Sequence, residues 1–143
     1  MDRWRSGLDG FVKTEDVSHV EIASVNFDQW TLTVALRAYA KADQSVLGMI
    51  HVVFDQVEGF RLLDEGAMLR FPWKRLSDDG AFVHRIPEGG WLDLERDAGN
   101  ILPAAGAAEY LIVTQNECVS VIAYAEPAYE WVKSGAANTW TAV

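Results

Sequence analysis

Between residues 30 and 38 the chain alternates strictly. Trp30, Leu32, Val34, Leu36 and Ala38 fall on one side, and Thr31, Thr33, Ala35 and Arg37 on the other. A period of two in β-branched and aromatic residues predicts a strand with one buried face. Val20-Glu21-Ile22 and Val25-Asn26-Phe27 alternate as well, and the change of phase at Ala23-Ser24 predicts a β-bulge or a bend. Asn26-Phe27-Asp28-Gln29 is the expected turn into the Trp30 strand, although it lacks the glycine of a tight primed turn. After the polar break Lys41-Ala42-Asp43-Gln44-Ser45, residues 47–54 are apolar on both faces, as in a central strand covered on two sides. Asp55-Gln56 leads into a further strand over 57–63, where Gly59 marks a bulge or a close approach.

Asp64 is placed to cap a short helix that Gly66 and Phe71-Pro72 keep brief. Ser77-Asp78-Asp79-Gly80 is a turn, and residues 81–86 form a short strand ended by Pro87-Glu88-Gly89-Gly90. Residues 91–97 fit a helical turn and a half, or a loop anchored by Trp91, and 100–108 form a connector rich in Ala, Gly and Pro. Strands over 110–114 and 118–124 flank the short loop Gln115-Asn116-Glu117, and 129–133 fit a fragment of helix. About seven short strands with little helix predict a mainly β, β-rich α+β chain. The expected architecture is a single antiparallel β-sandwich or strongly bent sheet with one or two short helices. Its expected core is Trp30, Leu32, Val34, Leu36, Ile50, Val52, Phe54, Leu111, Val113, Val119 and Val121. One domain over 1–143 is expected, with a structured core over about 11–132 and a loose tail at 134–143.

Composition adds exclusions. A chain of 143 residues that is 50% hydrophobic and 23% charged belongs to a packed protein rather than a disordered one. A formal net charge of −9 repels phosphate backbones, so nucleic acid and anionic membrane are not expected partners, whereas basic surfaces are. The single cysteine, Cys118, rules out an intrachain disulfide and a multi-cysteine zinc site. With one thiol, no export signal and no apolar run of about twenty residues, the expected location is the cytoplasm.

Catalytic chemistry finds little purchase. There is no Gly-x-Ser-x-Gly elbow, Walker loop or Gly-x-Gly-x-x-Gly fingerprint, and Gly89-Gly90 beside Pro87 reads as a turn. His19, His51 and His84 show no metal-ligand spacing, and His51 reads as a histidine held in or beside the core. Cys118 has no neighbouring cation to lower its pKa and reads as a buried structural residue. Carboxylate pairs such as Glu15-Asp16 and Asp78-Asp79 are expected by chance among 21 acids. The chain is therefore expected to be no enzyme and to require no cofactor or metal.

The distribution of charge is the feature that points to function. From Ile86 to Val132 there are eight acids (Glu88, Asp93, Glu95, Asp97, Glu109, Glu117, Glu126, Glu130) against one base, Arg96. Five large aromatics, Trp91, Tyr110, Tyr124, Tyr129 and Trp131, share this segment, and carboxylates mixed with aromatics suit a protein-binding surface. The candidate partner-binding residues are Trp91, Asp93, Glu95, Asp97, Glu109, Tyr110 and Glu117, with Asp93, Glu95 and Asp97 on one face if the segment is extended. The alternative is a small-ligand β domain whose apolar pocket is lined by Trp30, Trp73 and Trp91.

Two stretches carry a resemblance. Val57-Glu58-Gly59-Phe60-Arg61-Leu62-Leu63-Asp64-Glu65-Gly66 resembles a strand of small acidic bacterial proteins of unassigned function. Gly90-Trp91-Leu92-Asp93-Leu94-Glu95, with Glu109-Tyr110-Leu111-Ile112-Val113-Thr114 and Cys118-Val119-Ser120-Val121, resembles the hairpin of the same group. Such proteins are similar in size and acidity to the immunity proteins of contact-dependent and polymorphic toxin systems. The resemblance spans roughly residues 18 to 130, its motifs are structural, and it carries no catalytic or binding residue across. It implies a small intracellular binding protein; together with the acidic segment, the expected partner is a basic protein, such as a toxin domain.

Overall fold

The computed structural model describes residues 17–64, 82–101, 106–114 and 117–133. The helix expected after Asp64, the turn at 77–80, Trp73, the loop residues Gln115 and Asn116, and the tail at 134–143 lie outside them. Among the described residues eight strands are formed: β1 (Val17–Asp28), β2 (Thr31–Ala40), β3 (Val46–Phe54), β4 (Val57–Asp64), β5 (Val83–Ile86), β6 (Ala108–Val113), β7 (Glu117–Ala123) and β8 (Ala128–Lys133). A helix, α1 (Trp91–Asp97), sits between β5 and β6. All pairings are antiparallel, in two four-stranded sheets of order β1-β2-β3-β8 and β4-β7-β6-β5.

The inner faces meet in one core. Val20, Leu32, Val34, Leu36, Ile50, Val52 and Phe54 from the first sheet pack with Val57, Val83, Tyr110, Ile112, Val119 and Val121 from the second. Of the two expected architectures, a sandwich or a strongly bent sheet, the packing of two sheets is that of a sandwich. The chain passes between sheets at Asp55-Gln56, where Gln56 takes a positive φ of 55°. The register shift between Ile22 and Ser24 is the bulge expected at the phase change, and a second shift lies between Val57 and Gly59.

Three expectations are corrected. Trp30 is 69% exposed, because the hairpin turns at Gln29-Trp30 and β2 starts one residue later. Leu111 is fully buried as expected, but Val113 is only part-buried: register sets Tyr110 opposite Val121 and Ile112 opposite Val119, which turns the alternate residues to a second cluster on the outer face. There they pack with Ile86, Leu63 and Cys118. Residues 128–133 form β8 rather than helix, since Tyr129 and Trp131 pair with Val52 and Ile50 of β3 and turn inward to the core. Among the described residues no helix is long and apolar enough to cross a membrane.

Candidate functional site

The outer face of the second sheet carries α1, and the sequence around Gly90 explains how. Gly90 is the N-cap and offers no side-chain acceptor, so the first helical N–H groups need partners from elsewhere. Glu109 of β6 supplies one: the backbone N–H of Leu92 donates to its Oε1 at 2.8 Å. A Cβ at residue 90 would lie 2.5 Å from that same oxygen, so glycine is what lets the helix start sit on the carboxylate. Asp93 closes the turn by accepting from the Gly89 N–H at 2.7 Å. At the other end Gly99, at φ +80°, donates to the Arg96 carbonyl while Asn100 N–H donates to the Glu95 carbonyl, a Schellman closure.

That closure folds Asn100 back onto the helix, where its side-chain amide donates to Glu95 Oε2 at 2.7 Å. The indole Nε1 of Trp91 donates to Glu95 Oε1 at 3.0 Å, which fixes both the ring and the carboxylate. These bonds, that from Asn100 foremost, hold the Glu95 carboxyl below its ordinary range and keep it ionised at neutral pH. The Trp91 ring covers Gly59 of β4, where a Cβ would come within 3.2 Å of it. The Arg61 guanidinium lies 4.4 Å from the ring centroid on the same face.

The result is a shallow open groove of about 190 Å³ lined by Glu58, Gly59, Trp91, Glu95, Asn100, Ile101 and Ile122. Two carboxylates and one indole face it, and among the described residues none that lines it is basic, although Arg61 lies over the indole beside it. Tyr124 extends the Glu58 rim by donating to Glu58 Oε2 at 3.4 Å. Such a site suits a cationic group with an aliphatic stem, whose charge meets carboxylates while the stem lies on the ring.

The sequence-derived candidates divide on this geometry. Trp91 and Glu95 belong to the groove. Asp93 is tied to the helix start, and Asp97 is exposed in the last turn. Because the segment is helical, Asp93 and Asp97 share a side while Glu95 points elsewhere, so the single face expected of an extended chain is not formed. Glu109 is 1% exposed beneath the helix and Tyr110 lies in the core, so neither reaches a surface partner. Glu117 pairs with Asp64 at the far end of β7, five residues and about 17 Å along the strand from Ile122. Glu58 and Asn100 were missed; the Gly59 signal, a glycine inside a strand, was the one clue to a close approach there.

Burial raises the Glu109 carboxyl above its ordinary 4.5, against the pull of the Leu92 and Trp91 N–H groups and of Arg61. A raised folded-state value means that this group favours folding below about 4.5, and that the contribution is lost as pH rises through the raised value. Glu109→Ala is expected to cost about 1–3 kcal/mol at pH 7, since it orphans a buried N–H. Glu109→Gln keeps an acceptor for Leu92 and should cost less, while losing stability relative to wild type as pH falls from 7 towards 5. Urea unfolding of the three proteins at both pH values checks this. Equal, pH-independent losses for Ala and Gln would contradict the capping role.

Burial pushes the Cys118 thiol up to about 11, so it is protonated at neutral pH. His51, half-buried on the outer face of the first sheet, pairs in register with Ala35 and Glu130, and burial lowers its pKa despite the Glu130 charge. His84 is buried on the opposite sheet. Among the described residues no group of three or more His, Cys, Asp or Glu side chains is placed to hold a metal ion. Trp30 stands exposed on the β1–β2 turn and does not line the Trp91 groove. No family model, curated protein or solved structure matches this chain.

Proposed function

We propose that this protein is a non-enzymatic binding module that docks onto a basic protein, as an immunity protein does when it neutralises a basic toxin domain. The groove between α1 and β4 carries the reading: Glu58, Trp91 and Glu95 line it, with Arg61 stacked on the Trp91 ring beside them. Glu95 is already held by Trp91 and Asn100, so its charge is preorganised and little side-chain entropy remains to be lost on binding. On a nuclease-type partner these carboxylates would occupy positions that otherwise receive phosphate, with Trp91 as the anchor. The net charge of −9 would speed encounter at low salt.

Co-purification with the products of neighbouring genes is the test of the class. With such a partner in hand, Glu58→Gln combined with Asp97→Asn is expected to slow association several-fold at low salt. The difference should fade as ionic strength rises past about 0.15 M, where screening acts over roughly 8 Å. An unchanged rate and salt dependence would remove this surface from the interface. A thermal shift with a metabolite or lipid, and none with a basic protein, would favour the pocket reading instead.

A further inference from the structure

The two carboxylates of the groove are not equivalent. Each Glu95 oxygen already accepts a donor from its own chain, Trp91 Nε1–H on Oε1 at 3.0 Å and the Asn100 side-chain amide on Oε2 at 2.7 Å. A carboxylate offers about four lone-pair directions, so about two remain, one on each oxygen. Glu58 is less committed, with Tyr124 donating to its Oε2 at 3.4 Å. Beside them the Arg61 guanidinium holds one face of the indole, 4.4 Å from its centroid. After Asn100 and Trp91, the charge of Arg61 also favours the ionised form of Glu95. Two lining carboxylates against this one guanidinium leave one negative charge unmatched. The groove is also small and open. Its volume of about 190 Å³ falls below the roughly 300–1,000 Å³ of sites that enclose a free small molecule. It suits the end of a side chain presented by a larger surface.

We propose that the groove takes a single lysine side chain of the basic partner and discriminates against arginine. This rests on the reading of the groove as a receiver of basic groups, and adds which basic group it receives. Arginine engages a carboxylate best through two parallel N–H bonds at once, and an aromatic ring by laying its plane on the face. Both modes are hindered here. The fork needs a lone pair on each Glu95 oxygen, the two facing the same way. Trp91, from the start of α1, and Asn100, from beyond its end, already stand on those oxygens. Stacking would set a second guanidinium charge against a ring that Arg61 already covers on one face. An ammonium asks for less. It is compact and carries three divergent donors, so one remaining lone pair of Glu95 and one of Glu58 suffice. Its methylene stem can lie along Trp91 and Ile101, and its single charge matches the deficit.

The probe is a synthetic Gly-Ser-Gly-Lys-Gly-Ser-Gly peptide, capped at both ends so that the lysine carries its only charge. It is titrated into the full chain to roughly tens of millimolar at low salt, where screening is weak. The Trp91 indole N–H and Asn100 side-chain amide are followed by NMR, and matched peptides carry arginine or norleucine in place of lysine. The lysine peptide should shift both signals, and the arginine peptide should bind at least about threefold more weakly. Norleucine should leave the signals in place. In Asn100→Ala, which takes the donor off Oε2, the arginine peptide should gain until the two bind within about twofold of each other. A thermal scan verifies that this variant is folded, and the comparison in the wild-type chain decides without it. Arginine binding as tightly as lysine to the wild-type chain overturns the selectivity while leaving the acidic-groove reading in place. A preference for lysine that persists unchanged in folded Asn100→Ala overturns it as well, because the occupied oxygens are then not its cause. If neither basic peptide moves the Trp91 and Asn100 signals, or norleucine moves them as strongly, both the selectivity and the groove reading fail.

Discussion

Phe54→Ala is expected to lower the free energy of unfolding by about 3–5 kcal/mol. Phe54 is fully buried at the end of β3, opposite Leu32, one residue before the chain crosses to the second sheet. Its ring centroid lies 5.5 Å from that of Tyr110 at a tilt of 53°, so a single side chain ties β3 of one sheet to β6 of the other. Truncation removes that aromatic contact and leaves a cavity between two sheets whose backbones are held by their own ladders and so relax little. Domains of this kind hold only about 5–15 kcal/mol in reserve, so the loss is a large share of the whole. Urea or thermal unfolding measures it, with Phe54→Leu as a milder control at about 1 kcal/mol. A loss from the Ala variant no larger than that of the Leu control would mean that the sheets do not pack through this residue.

Gly48→Ala is expected to cost about 2–4 kcal/mol, more than its size suggests. Gly48 pairs with the fully buried Ala38 on β2 and with Lys133 on β8. A Cβ there would run into the Val132 carbonyl oxygen and come within 2.9 Å of the Trp131 ring. The pairing of two small residues, Gly48 and Ala38, makes room for the indole, which packs against the core. A carbonyl in a ladder cannot step aside without loosening β8, so part of the loss should appear as faster amide exchange over residues 128–133. Wild-type stability in this variant, with unchanged exchange in β8, would contradict the close approach.

The parts of the fold that were legible in the sequence are those where only one face of a strand is apolar. β2 alternates without ambiguity, and Leu32, Val34 and Leu36 are all fully buried. Where both faces are apolar, alternation has no phase to read. β6 runs Tyr110-Leu111-Ile112-Val113, and register with β7, not composition, decided that Tyr110 and Ile112 face the other sheet. Trp30 failed for a local reason, since a turn one residue later than expected moves a side chain from the core to solvent. The short segment 128–133 has no period long enough to separate helix from strand, and its partner β3 lies some 80 residues away.

At the site, Trp91 and Glu95 could be singled out because an aromatic sits among carboxylates in one acidic segment; that they bond to each other follows only once the segment is helical, which sets them four residues apart on one side. Glu58 and Asn100 could not, since only the fold brings β4 and the loop after α1 together. Glu109 misled for the opposite reason. A carboxylate in an acidic stretch looks like surface, and nothing local says that it will be drawn under a helix whose own N-cap is glycine.

The most direct measurement of the central claim is amide hydrogen exchange on the complex with a co-purified basic partner, compared with the free chain. The account predicts that added protection concentrates on the groove, around Glu58, Gly59, Trp91, Glu95 and Asn100. Protection confined to the outer face of the first sheet, around His51 and Glu130, with β4 and α1 exchanging as in the free chain, would contradict it.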